Sequence, residues 1–321
     1  MLKSRLCIAF FAFAVGCAPA QKPLTDYVNP MLGTATLWDS VDLGFKPTKR
    51  TWGAEVFPGS SLPNAMVQVS PVTKFHSGAG YQYEDSVIYG FTHTNKGHWN
   101  LCHIPLLPVT GTPTPGDYCS PFSHERESAA PGYYQVFLDR YGVDAQLSST
   151  LRCAFHKYTY PAGAAASLLA DLQRSNEHVR AWDIRKEGDN VFAGWQQTGE
   201  KMYFYAVANR PVTGIEPVVE GDREVRIVRF GEGDGALELR IGFSFVSEKN
   251  ARENLEAEML GKSFAEVRSE ATATWNDLLG RIRVEGGTER EKGLFYSSLY
   301  RSFLWPALRS DCLLYTSPSA R

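Results

Sequence analysis

Residues 56–71 read VFPGSSLPNAMVQVSP, and residues 80–108 read GYQYEDSVIYGFTHTNKGHWNLCHIPLLP. Phe57-Pro58-Gly59 makes a rigid turn, and Pro63 stiffens the next few residues. Met66, Val67 and Val69 then begin a strand-like alternation. A Gly-containing loop between strands follows, and it gathers His93, Asn95, His98, Trp99, Asn100 and His103 within eleven positions. Imidazoles, amides and an indole are costly to bury without partners. Together they suit a polyhydroxylated ligand, because an aromatic ring covers the C–H face of a sugar while donors and acceptors reach its hydroxyls.

Outward from that stretch, short strand candidates continue to about Phe245, separated by Gly and Pro. They are Met66–Val69, Gly132–Leu138, Val143–Leu147, His156–Tyr160, Ser167–Leu172, Val191–Thr198, Met202–Ala208, Glu224–Phe230 and Ala236–Ser244. Several alternate, as Tyr134, Val136 and Leu138 do against Gln135 and Asp139; others are continuous apolar runs suited to strands buried on both faces. Glu187-Gly188-Asp189-Asn190 and Glu220-Gly221-Asp222 supply turn chemistry between them. No helix-period segment interrupts the region, so the sequence predicts a mainly β fold, a large antiparallel sandwich.

At Ser247 the period changes. Ser247 is a good N-cap, with Glu248 and Glu253 near the positive end of a helix. Ala251, Leu255 and Met259, then Phe264, Val267, Ala271, Trp275, Leu278 and Ile282, repeat at helical spacing as one broken or two consecutive amphipathic helices. A short strand, Arg283–Glu285, and the Gly286-Gly287 turn are expected next. A further helix from Glu289 is apolar on more than one face (Leu294, Phe295, Tyr296, Leu299, Tyr300, Phe303, Leu304, Trp305). It calls for neighbours on all sides, and the chain offers it none. Cys312–Arg321 continues no periodicity and reads as an unrelated tail.

The 321 residues can bury a real core, and 43% hydrophobic with 21% charged residues fits a globular protein. A formal net charge of −2 leaves no basic footprint for nucleic acid and no polybasic membrane patch. At the N-terminus, Lys3 and Arg5 precede an apolar run, Leu6–Val15, too short to span a bilayer. Ala18-Pro19-Ala20 is an A-x-A cleavage signal, and Gly16-Cys17 resembles the end of a lipoprotein box. Export is expected, either soluble or lipid-anchored through Cys17. Among Cys102, Cys119, Cys153 and Cys312 there is no C-x-x-C pair to support structural zinc. Cys102 and Cys119 are equally readable as a disulfide or as buried thiols.

These residues resemble glycoside hydrolase family 92, the calcium-dependent exo-acting α-mannosidases. The likeness runs through Tyr27-Val28-Asn29-Pro30, Leu32-Gly33-Thr34, Phe57-Pro58-Gly59, Leu62-Pro63 and Met66 to Pro71. It continues through Gly80-Tyr81, Gly90 to Thr94, Ile104 to Gly111, Phe122-Ser123-His124 with Glu127, Pro131 to Tyr134 and His156-Lys157-Tyr158. Ser244 to Ser247, Asn254-Leu255, Trp275-Asn276, Phe295-Tyr296 and Leu299-Tyr300-Arg301 complete it, in order, over nearly all of residues 27–311. The resemblance implies an N-terminal β-supersandwich, linker helices and an (α/α)6 barrel, with the pocket between the two domains. It also implies inversion by a Glu acid and an Asp base from the barrel, two carboxylates far enough apart to admit a water. A bound calcium, held by oxygen ligands, would assist.

On that resemblance the expected organisation is a signal at 1–20, a sandwich at 22–246, linker helices at 247–283, the start of a helical domain at 284–311 and a separate tail at 312–321. Catalytic groups and most calcium ligands are then expected outside this chain, which alone should be inactive. Its expected partners are a mannose-containing glycan and the rest of the helical barrel. Candidate substrate contacts are His93, His98, Trp99 and Asn100 in the loop, Phe57 and Gly59 in the turn, and Trp52 and Glu55 before it. Arg174, Ser175, Asn176 and Glu177, after a buried strand, are further candidates. Asn95 to Asn100 replaces a His-Leu-Ser-Gly-type run, and Trp52 to Val56 replaces a Gly-Asn-Thr, departures that bear on linkage specificity. The alternative is a stand-alone, non-catalytic carbohydrate-binding sandwich.

Overall fold

The computed structural model describes residues 22–36, 44, 56–96 and 99–312, with only the backbone of Asn95, Lys96 and Trp99. Met1–Ala20, Trp52, Glu55, His98 and residues 313–321 lie outside the described residues, as does the indole of Trp99.

Among the described residues two antiparallel sheets form the body. One has seven strands in the order Ser60–Ser61, Gln68–Val72, Gly90–Thr92, Leu106–Val109, Ser167–Ala170, Arg223–Phe230 and Val212–Glu220. The other has eight, in the order Ala181–Lys186, Val191–Gln197, Lys201–Ala208, Leu237–Ser244, Cys153–Thr159, Val143–Ser149, Tyr133–Leu138 and Glu127–Ala130. Alternation does the layering: in Lys201–Ala208 every second residue (Met202, Phe204, Ala206, Ala208) is buried. One apolar core fills the space between the sheets, from Val69, Phe91 and Leu107 on one side to Leu147, Phe204 and Ile241 on the other. The expected sandwich is the observed fold.

The helical part follows. Helix α1 is Glu248–Glu258, and Ser247 caps it by accepting from the Asn250 amide at 3.1 Å. It lies flat on the strand Leu237–Ser244, where Gly242 makes this possible: a Cβ there would sit 2.1 Å from the Ala251 carbonyl oxygen. Helix α2 is Phe264–Leu279 and helix α3 is Glu289–Ser302, each opened by a reciprocal capping box, Ser263 with Glu266 and Thr288 with Glu291. Trp275 in α2 is fully buried and donates its indole N–H to the Ser61 carbonyl at 2.8 Å, which ties the helices to the edge of the first sheet.

Three expectations are corrected here. Arg283–Glu285 is irregular linker with no ladder partner, since no described strand lies beside it. Helix α3 does have neighbours in this chain: Tyr296 and Tyr300 are buried against Leu24, Phe57 and Trp275, with Tyr27 stacked on Tyr296 at 5.6 Å. The N-terminal segment, some 270 residues away in sequence, returns to cover that side, which helical periodicity could not reveal. Leu294 and Phe295, at 45% and 36% exposed, form the side left open. The helix also stops at Ser302, so Phe303, Leu304 and Trp305 belong to the segment beyond it.

Candidate functional site

Residues 303–311 cross one end of the sandwich and hold to it at successive points. Leu308 N–H donates to the Asn64 carbonyl at 2.8 Å, and Gln68 Nε2 donates to the Leu304 carbonyl at 3.1 Å. Asp311, buried, accepts from Ser244 Oγ at 2.8 Å, Asn250 Nδ2 at 2.9 Å and Asn254 Nδ2 at 2.8 Å. The loop that begins at His93 joins this end through Gln68, whose backbone amide donates to the His93 carbonyl at 3.1 Å.

Within the loop, Asn95–Lys96 and Trp99–Asn100 pair as a small hairpin standing beyond the Gly90–Thr92 strand. His93, Asn100 and His103 are all buried. Asn100 Oδ1 accepts from the Cys102 amide at 2.8 Å and meets Thr92 Oγ1 at 3.3 Å, so its amide braces the base of the hairpin. Phe57 belongs to the cluster of Trp275, Tyr300 and Leu304. Gly59 sits where a Cβ would come within 2.1 Å of the Val69 carbonyl oxygen, so close backbone approach accounts for the glycine.

Two histidines ten positions apart go to different partners. His93 Nε2 lies 3.0 Å from His156 Nε2, and His156 Nδ1 lies 2.5 Å from the Tyr158 hydroxyl. Burial lowers His93 to about 3 and pushes His156 well below the usual imidazole range. Both rings are therefore neutral, and one of the facing nitrogens carries the shared proton.

His103 is built differently. Its Nδ1 lies 2.7 Å from Thr94 Oγ1, and its Nε2 lies 3.0 Å from Thr198 Oγ1. The Thr198 hydroxyl donates to Glu177 Oε2 at 2.6 Å. Because that proton is committed to the carboxylate, Thr198 Oγ1 accepts from His103 Nε2–H, and Nδ1 accepts from the Thr94 hydroxyl. The His103 ring, 3.8 Å from Glu177 Oε2, is the main cause that lowers the Glu177 carboxyl to about 2, with the Thr198 hydroxyl and the Gly199 amide adding to it. The side chain of Glu177 is 44% exposed, so a polar chain that begins in the core ends in an ionised carboxylate at the surface.

The loop carrying Glu177 is clamped to the hairpin. Ser175 Oγ donates to the Leu101 carbonyl at 2.6 Å, and Asn176 Nδ2 donates to the Asn100 carbonyl at 2.5 Å. Of the sequence-derived candidates, the structure thus brings together the Ser175–Glu177 loop and the 93–103 loop. Phe57 lies in a packing position against α2 and α3, and Gly59 lies against the Gln68–Val72 strand. Sequence reasoning missed Thr94, Thr198 and Arg309. Glu125 and Glu127 part company: Glu125 is exposed, while Glu127 accepts from Tyr134 at 2.6 Å, Tyr81 at 3.0 Å and His124 Nδ1 at 2.6 Å. Among the described residues Cys102, Cys119 and Cys153 are free thiols, so Cys102 and Cys119 are not joined as a disulfide. Among the described residues no three His, Cys, Asp or Glu side chains converge as metal ligands.

By fold, the chain is similar to part of each of several family GH92 α-mannosidases. A family GH92 α-mannosidase from Bacteroides thetaiotaomicron superposes with a TM-score of 0.79 at 25% identity, covering 91% of this chain and 42% of that one; it has also been solved with mannoimidazole. An inverting family GH92 mannosidase from the same organism gives a TM-score of 0.75 at 25% identity over 89% of this chain and 40% of its own. An uncharacterized secreted glycosidase of Arthroderma benhamiae is 24% identical over 335 residues, 87% of this chain and 41% of the relative. The profile of the glycosyl hydrolase family 92 N-terminal domain matches residues 27–254, and that of the family 92 catalytic domain matches residues 250–316. The chain belongs to glycosyl hydrolase family 92. It spans about two fifths of the length of these relatives, and the catalytic-domain match runs into the segment expected to be a separate tail.

Proposed function

We propose that this chain is the pocket-forming N-terminal part of an exported α-mannosidase that removes terminal α-linked mannose with inversion. In this reading residues 22–246 are the sandwich wall, 247–283 the linking helices and 284–311 the beginning of the helical domain. The hairpin bearing His98, Trp99 and Asn100 closes one wall around the mannose or its neighbour, and the helical domain supplies acid, base and calcium. No catalytic step is assigned to the described residues.

The observation that carries the reading is the similarity, over nine tenths of the chain, to mannosidases of the same family, one of them solved with a mannose-like ligand. Export rests on the Met1–Ala20 pattern and on a relative described as secreted. No described helix is long and apolar enough to cross a membrane.

The test compares purified residues 22–321 with the product of the complete open reading frame on 4-nitrophenyl α-mannoside. The short chain is expected to give no turnover. The long one is expected to release β-mannose first, as seen by proton NMR, and to lose activity on chelation of calcium. Turnover by residues 22–321 alone, or hydrolysis of other glycosides but not mannosides by the long protein, sinks the reading.

A further inference from the structure

We propose that Glu177 anchors a carbohydrate subsite at the end of the sandwich, accepting hydrogen bonds from ring hydroxyls. The inference rests on the reading that this end of the sandwich faces a mannoside.

Three observations carry it. First, Glu177 Oε2 is fixed by the Thr198 hydroxyl at 2.6 Å, and that hydroxyl is held in turn by buried His103. A carboxylate oriented by buried donors keeps one geometry, so its other oxygen can receive a ligand without first losing side-chain freedom. Second, the loop is clamped to the hairpin through Asn176 and Ser175, which fixes the spacing between Glu177 and the Trp99 backbone. Third, the segment 303–311 brings Arg309 to the same place. Its guanidinium stacks over Phe245 at 4.8 Å, and its charge faces Glu200 and Glu177.

A carboxylate held in one orientation matches the chemistry of a vicinal diol, since its oxygens accept from two O–H donors. A simple surface ion pair would need none of the buried relay through Thr198 and His103.

The experiment is a titration of residues 22–321 with methyl α-mannoside and α-linked mannobiose, followed by NMR and calorimetry, on wild type, Glu177→Gln and Thr198→Val. Glu177→Gln is expected to weaken binding tenfold or more, and Thr198→Val severalfold, with the fold of each checked by its amide spectrum. Mono-deoxy mannosides provide a second readout: the hydroxyl that meets Glu177 should matter in wild type and not in Glu177→Gln. Equal affinity of wild type and Glu177→Gln overturns the inference and leaves the mannosidase reading standing. A wild-type chain that binds neither ligand also overturns it. Glu177-dependent binding of glucosides but not mannosides upholds the subsite and removes mannose from the reading.

Discussion

His93 and His103 leave the same loop and end in opposite circumstances. His93 points into the core, where His156 and Tyr158 complete a chain with no exit to solvent. His103 is just as buried, yet its chain passes through Thr198 to a carboxylate that is 44% exposed. The first arrangement pairs His93 Nε2, both His156 nitrogens and the Tyr158 hydroxyl, which would otherwise be orphaned between two sheets. The second spends buried donors on holding a surface anion in place. Burial of a histidine therefore says little about its role; where its hydrogen-bond chain ends says more.

Removing a member of the closed chain should have the larger consequence for stability. His156→Ala empties a fully buried site in the central strand Cys153–Thr159 and leaves His93 Nε2 and the Tyr158 hydroxyl facing a void. A loss of about 3–5 kcal/mol is expected in urea unfolding, from lost packing plus the desolvated groups left unpaired. A loss under about 1 kcal/mol would show that the pair is solvated and break the contrast with His103.

The next effect is a pH dependence. In the unfolded chain His93 takes up a proton below about 6.5, whereas in the folded chain burial delays this until about 3. Between those values the unfolded state binds more protons, so stability falls as pH is lowered, by about 1.4 kcal/mol per pH unit for one such group. Burial moves His156 in the same direction and steepens the fall. Above pH 6.5 neither histidine contributes a slope. Unfolding free energies measured from pH 7 to pH 4 should show this limb, and a flat profile over that range would contradict dry burial of the pair.

How much of this was legible beforehand follows from where each signal lies. Central strands such as Val143–Ser149 and Val191–Gln197 carry alternating or continuous apolar residues, because both of their neighbours and one or both faces are protein. Ala181–Lys186 and Val212–Glu220 were not recognised. Each lies at a sheet edge, where charges and Pro217 are tolerated and dilute the pattern. Helix caps at Ser247, Ser263 and Thr288 are local chemistry; Ser247 was read from the sequence, and the other two capping boxes were there to be read. The candidate site was half legible. The 93–103 loop and the Ser175–Glu177 loop both stood out, but their union depends on Thr198, which is 95 residues from His103 and 21 from Glu177. No period or motif encodes such a contact. The open chain is assembled by the pairing of strands, and only its two ends are marked in the sequence.

The smallest effect expected concerns Glu177 itself. Its carboxyl is lowered from 4.5 to about 2 in the folded chain, so its stabilising contribution is complete above about 4.5 and disappears as pH falls through about 2. Taken at face value a shift of that size would be a major term, but the side chain is nearly half exposed and solvent screens the interaction. Glu177→Gln should therefore change stability at pH 7 by less than about 1 kcal/mol, and differ from wild type even less near pH 2. The amide keeps the size of the carboxyl and still accepts from Thr198 through its oxygen, so the fold has little reason to respond. Against this stands the tenfold loss expected in mannoside binding. A variant that costs almost nothing in unfolding yet most of the affinity would place Glu177 at a ligand, whereas a large stability loss at pH 7 would return it to the same structural category as His93 and His156.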